Sequence, residues 1–230
     1  HVLLCPDSFK ESMSAFEFCK YTSACIKEIH PDWDVTSIPM ADGGEGSLDA
    51  ILPYLKNPHW KTVPCVDAIH RPMEATYLIS DDIAYIELAK TSGLASIEKD
   101  KRDIMKANTF GTGMVLQDAI SENVKEVILF AGGSATVDAG TGIMQALGLT
   151  LLDKNNKVIP TSINALPLVS SLKIDKNKLP SGLDFKIICD VSNPLNGPRG
   201  AAHIYGPQKG ASEKEVKVLD AGTEHLSTLF

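Results

Sequence analysis

The stretch Val127–Gly148, which reads VILFAGGSATVDAGTGIMQALG, decides the fold of this 230-residue chain. Its first five residues, Val127–Ala131, are apolar and too few for a helix, so they predict a short buried strand. The next three, Gly132–Ser134, predict a tight turn. Apolar residues then recur at helical spacing, and Gly148 is placed to end a helix. We therefore expect a strand, a glycine turn and a helix in succession.

The turn in this stretch has the composition of an anion-binding site. The glycines Gly132 and Gly133 would let a phosphate approach the backbone, and the N–H groups of a helix start carry partial positive charge. Ser134 and Asp138 add polar side chains. An ordinary strand-to-helix turn without a ligand is the alternative interpretation. The stretch matches neither the Walker loop nor the G-x-G-x-x-G dinucleotide motif.

Composition narrows the class of protein. Hydrophobic residues make up 43% and charged residues 22%, as in ordinary globular proteins. The net charge of −7 argues against nucleic acid or an anionic membrane as partner. No apolar run reaches the length of a membrane span. The five scattered cysteines predict reduced thiols in a cytoplasmic protein, and no metal-binding Cys/His spacing is present.

Two strand–helix units are predicted in the first 55 residues. The strands are Val2–Cys5 and Val35–Ile38, and the first helix begins with the capping box Ser14–Glu17. Ser47–Leu55 is the second predicted helix. In an open α/β sheet, ligands bind at the loops that follow the strands.

Those two loops contain candidate site residues. Asp7, Ser8 and Lys10 follow the first strand, and Asp42 and Glu45 follow the second. A lysine can neutralise a transferring phosphoryl group, and carboxylates can hold Mg²⁺ or accept a hydroxyl proton. The alternatives are a turn-stabilising ion pair for the first loop and favourable acids at a helix start for the second.

The pattern changes near residue 60, where we place a domain boundary. Alternating and apolar runs predict antiparallel strands, and an N-cap at Asn108 or Thr112 predicts a helix. The predicted elements that follow are the strands Trp60–Val66, Met73–Ile79 and Ile83–Leu88, a hairpin over Leu149–Ile159, a surface connection at 160–182 and an amphipathic helix from Glu213. Both chain ends read as interrupted elements, so we expect further residues after Phe230.

A second site candidate follows the predicted buried strand Phe185–Cys189. The strand places Asp190 at its carboxyl end, before a loop rich in proline and glycine that also contains Asn193. A carboxylate in that position is typical of a general base. A further rigid turn adds the cation of Lys209.

Six segments of the chain together resemble the bacterial-type glycerate kinase family, which is neither Walker-type nor ribokinase-like. The segments occur in the family's order and extend over nearly the whole chain. They are PDSFKESMSA (6–15), PMADGGEGS (39–47), ELAKTSGL (87–94), NTFGTG (108–113), GGSATVDAGTGIMQALG (132–148) and CDVSNPLNGPRGAAHIYGPQKGA (189–211).

The resemblance implies phosphorylation of D-glycerate to 2- or 3-phosphoglycerate, with ATP and Mg²⁺. It implies two α/β domains with the site in the cleft between them: residues 1–60 would begin a Rossmann-like domain, and 61–230 would form an inserted mixed α/β domain. Carried over by motif position, the site candidates are Asp7, Ser8, Lys10, Asp42, Glu45, Ser134, Asp138, Asp190, Asn193 and Lys209. We expect Asp190 to act as base, Lys10 and Gly132–Ser134 to offset phosphoryl charge, and Asp42 with Glu45 to orient Mg²⁺.

The chain departs from the family pattern at a few positions. Glu11 stands where the family usually has glycine, and Val137-Asp138-Ala139 stands where it usually has Asn-Asp-Gly. Family members also continue beyond the position of Phe230. Two other functions stay open: a non-catalytic sugar-acid-binding protein or degenerate kinase fragment, and a nicotinamide-linked oxidoreductase. Oligomeric state is not predicted.

Overall fold

The computed structural model describes residues 1–9, 12–175 and 181–230. Lys10, Glu11 and residues 176–180 of the predicted 160–182 connection lie outside the described residues. The fold is mixed α/β, as expected. Its strands are β1 Val2–Leu4, β2 Val35–Ser37, β3 His59–Val66, β4 Pro72–Ser80, β5 Ile83–Glu87, β6 Glu126–Phe130, β7 Leu149–Leu152, β8 Ser171–Ile174 and β9 Asp184–Ile188; its helices are α1 Ala15–Ile29, α2 Ser47–Ile51, α3 Ala89–Ser92, α4 Phe110–Ser121, α5 Thr141–Ala146, α6 Ala201–Tyr205 and α7 Glu213–Ser227.

The first strand–helix–strand unit agrees with its sequence signals. β1 and β2, which precede and follow α1 in the chain, pair with each other in parallel. The predicted capping box starts α1: the Glu17 amide donates to Ser14 Oγ at 3.1 Å, and the Ser14 amide donates to Glu17 Oε2 at 2.9 Å. α2 is shorter than predicted and continues as a 3₁₀ turn at Leu52–Tyr54. Pro53 explains the change, because proline has no N–H for the helical hydrogen-bond ladder.

A five-stranded sheet occupies the middle of the chain. Its order is β3-β4-β5-β6-β9, with antiparallel pairs up to β5 and parallel pairs from β5 to β9. Ile86 and Val127 in the central strands are buried together with Val115 of α4. Because β5, β6 and β9 are parallel, their carboxyl ends share one edge, where ligands bind in open α/β sheets. Within the described ranges, no helix is long and apolar enough to cross a membrane.

The stretch Val127–Gly148 forms the predicted strand and helix, β6 and α5. Gly148 follows the helix in the left-handed conformation, with φ +100°. The prediction that Gly132–Ser134 lies at a helix start is wrong, because α5 begins only at Thr141. The reason is tertiary: the residues in between make hydrogen bonds to other parts of the chain instead of to the next helical turn.

A second core corrects the prediction of a surface connection at 160–182. Asn164, Leu166 and Val169 are buried, and β8 pairs with β7. Leu166 belongs to the same apolar cluster as Leu219 of α7, so packing overrides the polar composition of this segment. The predicted apolar face of α7 is confirmed: its buried residues are Val216, Leu219, Gly222, Thr223 and Leu226.

Two further local predictions are corrected. β9 is a strand as predicted but is not buried, since Phe185 is 43% and Ile187 58% exposed. Within the described part of the chain, β9 pairs only with β6, so it lies at the sheet edge. The N-cap of α4 is Thr109 rather than Asn108 or Thr112, and Thr112 is buried one turn into the helix.

Candidate functional site

Two glycine-rich loops lie directly against each other. The acidic loop, Asp42–Gly46, precedes α2. The second loop, Ala131–Gly140, joins β6 to α5 and is named the phosphate loop after its predicted, untested role. The Gly132 amide donates to the Gly43 carbonyl oxygen at 2.8 Å. A Cβ atom on Gly132 would lie 2.7 Å from the Cα of Gly44, so a larger residue would push the loops apart. The structure thus brings together Asp42 and Glu45 with the predicted glycine turn.

The end of β9 joins the same two loops. The Ala131 amide donates to the Ile188 carbonyl oxygen at 3.0 Å. Gly43 has φ +91°, and a Cβ there would lie 2.9 Å from that same oxygen. Asp190 follows two residues later, where it is exposed and has no hydrogen-bond partner among the described residues. Asp190 thus follows the end of β9 as predicted, and its role as general base stays a prediction.

The segment Glu87–Leu94 supports the phosphate loop from another side. The Leu94 amide donates to the Gly133 carbonyl oxygen at 2.9 Å, and the Ala135 amide donates to the Ser92 carbonyl oxygen at 2.8 Å. These two hydrogen bonds flank an antiparallel bridge between Gly93 and Ser134, which pairs the loop with this segment. For the amides of Gly133 and Ser134, the described residues provide no acceptor. Such free amides are suited to an anionic ligand.

Glu87, at the end of β5, is a residue that the sequence reasoning missed. It is 2% exposed, and its carboxylate accepts hydrogen bonds from the Gly46 amide at 2.8 Å and the Leu48 amide at 3.3 Å. Burial raises its pKa, and nearby Lys90 partly opposes that rise. A single acid closing an otherwise apolar strand was the available sequence signal.

Lys209 reaches the phosphate loop from the turn after α6. It is 7% exposed, and its Nζ donates to Ser134 Oγ at 2.8 Å and to the Thr136 carbonyl oxygen at 2.7 Å. Burial lowers the pKa of this amine to about 8, while the charge of Asp138 acts in the opposite direction. Two of the predicted site residues, Ser134 and Lys209, are therefore in direct contact, and their predicted binding of phosphate or substrate stays a prediction.

Asp138 lies inside the protein, bound to the protein's own donors. It is 2% exposed, and its Oδ2 accepts from the Thr109 amide at 2.8 Å, from Thr109 Oγ1 at 2.7 Å and from the Gly142 amide at 3.2 Å. The Gly140 amide lies 3.3 Å from Oδ1. These contacts join the starts of α4 and α5, so Asp138 shapes the end of the phosphate loop. Its predicted contact with substrate or phosphate stays a prediction.

Asn193 belongs to the loop that follows Asp190. Its Nδ2 donates to the Arg199 carbonyl oxygen at 3.0 Å, and the Tyr205 hydroxyl donates to its Oδ1 at 2.5 Å. The Tyr205 ring centre lies 5.9 Å from Lys209 Nζ. Asn193 is thus connected through Tyr205 to the region of Lys209.

The described part of the loop after β1 lies beside the residues that lead into the acidic loop. The Met40 amide donates to the Pro6 carbonyl oxygen at 2.8 Å, which places Asp7 and Ser8 next to the residues that precede Asp42. Asp7 is exposed, and its Oδ1 accepts from the Ser8 amide at 2.6 Å. Lys10 lies outside the described residues, so its predicted role stays a prediction.

The acidic loop has the donor chemistry of a magnesium site. Asp42 uses one oxygen to accept the Gly44 amide at 2.8 Å, and Glu45 is exposed. Among the described residues, no group of three His, Cys, Asp or Glu side chains could hold a metal ion by itself. Mg²⁺ in phosphoryl-transfer sites commonly binds one or two carboxylates together with substrate phosphates. The two carboxylates fit that smaller requirement.

Comparisons with known proteins bear on the family of this chain. The family model described as "Glycerate kinase family" matches residues 2–230. A glycerate kinase of Halalkalibacterium halodurans is 38% identical, and the match covers 100% of this chain and 61% of that protein. The glycerate 2-kinase of Escherichia coli is 37% identical, with the same coverage of both chains. This chain therefore spans about three fifths of the length of the curated relatives that it matches.

The fold of this chain also matches a solved structure. The crystal structure of a Salmonella typhimurium protein assigned as glycerate kinase 2 matches with a TM-score of 0.82 and 35% identity. The match covers 99% of this chain and 62% of that one. Together, the whole-chain family match, the identity to named relatives and the shared fold show that this chain belongs to the glycerate kinase family.

Proposed function

We propose that this chain carries the active site of a kinase that transfers the γ-phosphoryl group of ATP to D-glycerate. The product is 2- or 3-phosphoglycerate, and the name of the Escherichia coli relative favours the 2-isomer. The observation that carries the proposal is the meeting of the acidic loop, the phosphate loop and the end of β9. It is supported by the Gly132–Gly43 and Ala131–Ile188 hydrogen bonds.

Asp190 is the proposed general base. It is exposed just beyond β9, beside the phosphate loop, so that its carboxylate can accept the proton of a glycerate hydroxyl. The free amides of Gly133 and Ser134, with Lys10, would bind and neutralise phosphoryl oxygens. Phosphoryl transfer depends mainly on positioning and charge stabilisation, and these groups can provide both.

Asp42 and Glu45 are the proposed residues for Mg²⁺. When bound, the ion would neutralise charge on the phosphates of ATP. Asp7 is a further proposed catalytic residue, and Ser8 is proposed to bind substrate or phosphate. Both follow Pro6, whose carbonyl oxygen accepts the Met40 amide just before the acidic loop. Asn193 and Lys209 hold the loops that face the phosphates, and Lys209 keeps a third N–H beyond the two that Ser134 and Thr136 accept.

The division of the chain near residue 60 is part of the same proposal. Residues 1–60 would begin a Rossmann-like domain, and residues 61–230 would form the inserted domain, with the site in the cleft between them. In support, β1 and β2 pair only with each other among the described strands, and the five-stranded sheet begins at His59.

ADP release from MgATP, with and without D-glycerate, tests the function. The assay is run on the 230 residues and on the same chain extended by the part of the Halalkalibacterium relative that lies outside the match. We expect glycerate-dependent ADP release, and ³¹P NMR of the product separates 2- from 3-phosphoglycerate. Glycerate binding without ADP release by either protein would favour the non-catalytic alternative and overturn the kinase.

Asp190→Asn tests the general base. The amide cannot accept the proton, so we expect kcat to fall by about 100-fold or more. Because Asp190 is exposed, the midpoint of urea unfolding should stay close to that of the wild type. Asp184→Asn is the matched control, since Asp184 is also exposed but begins β9 at the opposite end. Near-normal kcat in Asp190→Asn would remove this residue from the role.

A further inference from the structure

One buried carboxylate outside the proposed chemistry connects β5 to the acidic loop. Glu87 accepts hydrogen bonds from the amides of Gly46 and Leu48, which lie at the start of α2. Amides at a helix start have no partner within the helix, so they need an acceptor from elsewhere. Burying a carboxylate is costly unless donors surround it. The two amides and the buried carboxylate of Glu87 therefore satisfy each other's hydrogen-bonding needs.

The same short segment also holds the phosphate loop. Seven residues after Glu87, the Leu94 amide binds the Gly133 carbonyl oxygen, and between them the Ser92 carbonyl oxygen accepts the Ala135 amide. The Leu88 amide donates to the Phe130 carbonyl oxygen at 3.0 Å, which anchors the segment to β6. One continuous stretch thus fixes both glycine-rich loops.

The contact between the two loops leaves little room for adjustment. Gly132 and Gly44 pack backbone to backbone, without space for a Cβ atom. A shift of the acidic loop is therefore passed on to the phosphate loop. Such a shift would change the separation between the carboxylates of Asp42 and Glu45 and the free amides of Gly133 and Ser134.

We propose that Glu87 is a positioning residue for phosphoryl transfer: its carboxylate holds the acidic loop in the orientation in which the Mg²⁺-binding carboxylates face the phosphate loop. This inference rests on the proposed function. The proposal gives Glu87 no contact with substrate, because it is 2% exposed and its two oxygens accept the amides of Gly46 and Leu48. It acts through Glu45, which directly precedes Gly46 in the chain.

Glu87→Gln tests the role with little change in volume. Glutamine keeps one acceptor oxygen but turns an NH₂ group toward the other amide, which loses its hydrogen bond. We expect kcat to fall by about tenfold and the Mg²⁺ concentration for half-maximal rate to rise by about threefold or more. The KM for D-glycerate should change less. Hydrogen exchange at the amides of 43–50 should become faster than in the wild type.

Asp67→Asn is the matched control for loss of a buried carboxylate. Asp67 is 4% exposed and accepts the amides of Ile69 and Arg71 within the turn between β3 and β4. This variant should lose stability without a change in Mg²⁺ dependence. If Glu87→Gln does not fold, Glu87→Asp takes its place, because it keeps the charge and withdraws the carboxylate by one methylene.

The outcomes separate a positioning role of Glu87 from a purely structural one. Unchanged Mg²⁺ dependence and unchanged exchange in the Glu87 variant overturn the proposal, as does an equal change of Mg²⁺ dependence in Asp67→Asn. Absence of glycerate-dependent ADP release from both the 230-residue chain and its extended form overturns the proposed function instead. Even then, exchange at 43–50 decides whether Glu87 holds the acidic loop.

Discussion

At the scale of single residues, Ala139 has a backbone conformation that alanine rarely adopts. Its φ is +49°, in the left-handed region, which costs an L-residue roughly 1–2 kcal/mol. The hydrogen bonds of the preceding Asp138 hold this part of the phosphate loop in place. The surrounding loop therefore holds Ala139 in this strained conformation.

Ala139→Gly should stabilise the protein. Glycine removes the steric cost but adds freedom to the unfolded chain, so we expect a net gain of about 0.5–1 kcal/mol in the free energy of unfolding. Urea unfolding measures the change. The control is Ala221→Gly at an exposed position inside α7, which should instead lose about 1 kcal/mol. Destabilisation by both substitutions would contradict the assignment of strain to Ala139.

Lys209 should make stability depend on pH. Its pKa is about 8 in the folded protein, below its ordinary value of 10.5, because burial disfavours the charged amine. Between these values the unfolded chain binds more protons than the folded one, so stability rises with pH. The neutral amine still has two N–H donors for Ser134 and Thr136.

We compare the wild type with Lys209→Met to isolate this contribution. From pH 7.5 to 9.5, the wild type should gain about 2 kcal/mol of unfolding free energy relative to the variant. Urea unfolding at the two pH values gives the difference between the proteins. If the difference in unfolding free energy between the wild type and Lys209→Met does not change with pH, burial leaves the amine with an ordinary pKa.

At the scale of elements, Asp138 connects two helices that are distant in sequence. Its carboxylate accepts from Thr109 before α4 and from Gly142 within α5. The close approach of these helices also needs Gly142, since a Cβ there would lie 2.4 Å from the Phe110 amide nitrogen. Phosphate-loop geometry is thus coupled to the packing of α4 on α5.

Asp138→Ala should cost more stability than the loss of a surface aspartate. Several buried donors would lose their acceptor, so we expect a loss of about 3 kcal/mol or more in unfolding free energy. Asp153→Ala is the control, since Asp153 accepts the amides of Asn155 and Lys157 in an exposed turn and should have a smaller effect. Chemical denaturation compares the two variants. Equal losses would contradict the coupling between α4 and α5.

At the scale of the whole molecule, β9 gives the chain an exposed apolar edge. Ile187 is 58% exposed, and among the described strands β9 pairs only with β6. Unpaired apolar edge strands promote association between chains. We expect the 230-residue chain to self-associate as its concentration rises, which sedimentation velocity would detect.

Ile187→Lys should reduce that association, because a charge on an edge strand opposes pairing. Leu168→Lys, at a position 48% exposed elsewhere on the surface, should leave it unchanged. A monomer at every concentration in the wild type would show that the edge is protected.

Most individual elements could be predicted from the sequence, because their signals are local. The capping box of α1, the apolar run of β6, the glycine after α5 and the apolar face of α7 depend on neighbours within a few residues. The family resemblance also rests on contiguous motifs, and the family match confirms it. Burial was predicted less well: β9 reads as a core strand, and 160–182 reads as a surface connection.

For the site, too, the sequence predicted some features and the tertiary structure alone decided others. The sequence by itself determined the family, the mixed α/β class and most candidate residues, since residue type and spacing encode them. Only the tertiary structure decided that Gly132 packs against Gly44 and that Lys209 binds Ser134. It also decided that Glu87, at the end of β5, caps the start of α2. The partners in these contacts lie 39 to 88 positions apart in the chain. No local pattern specifies such contacts, because chain topology and close packing bring the partners together.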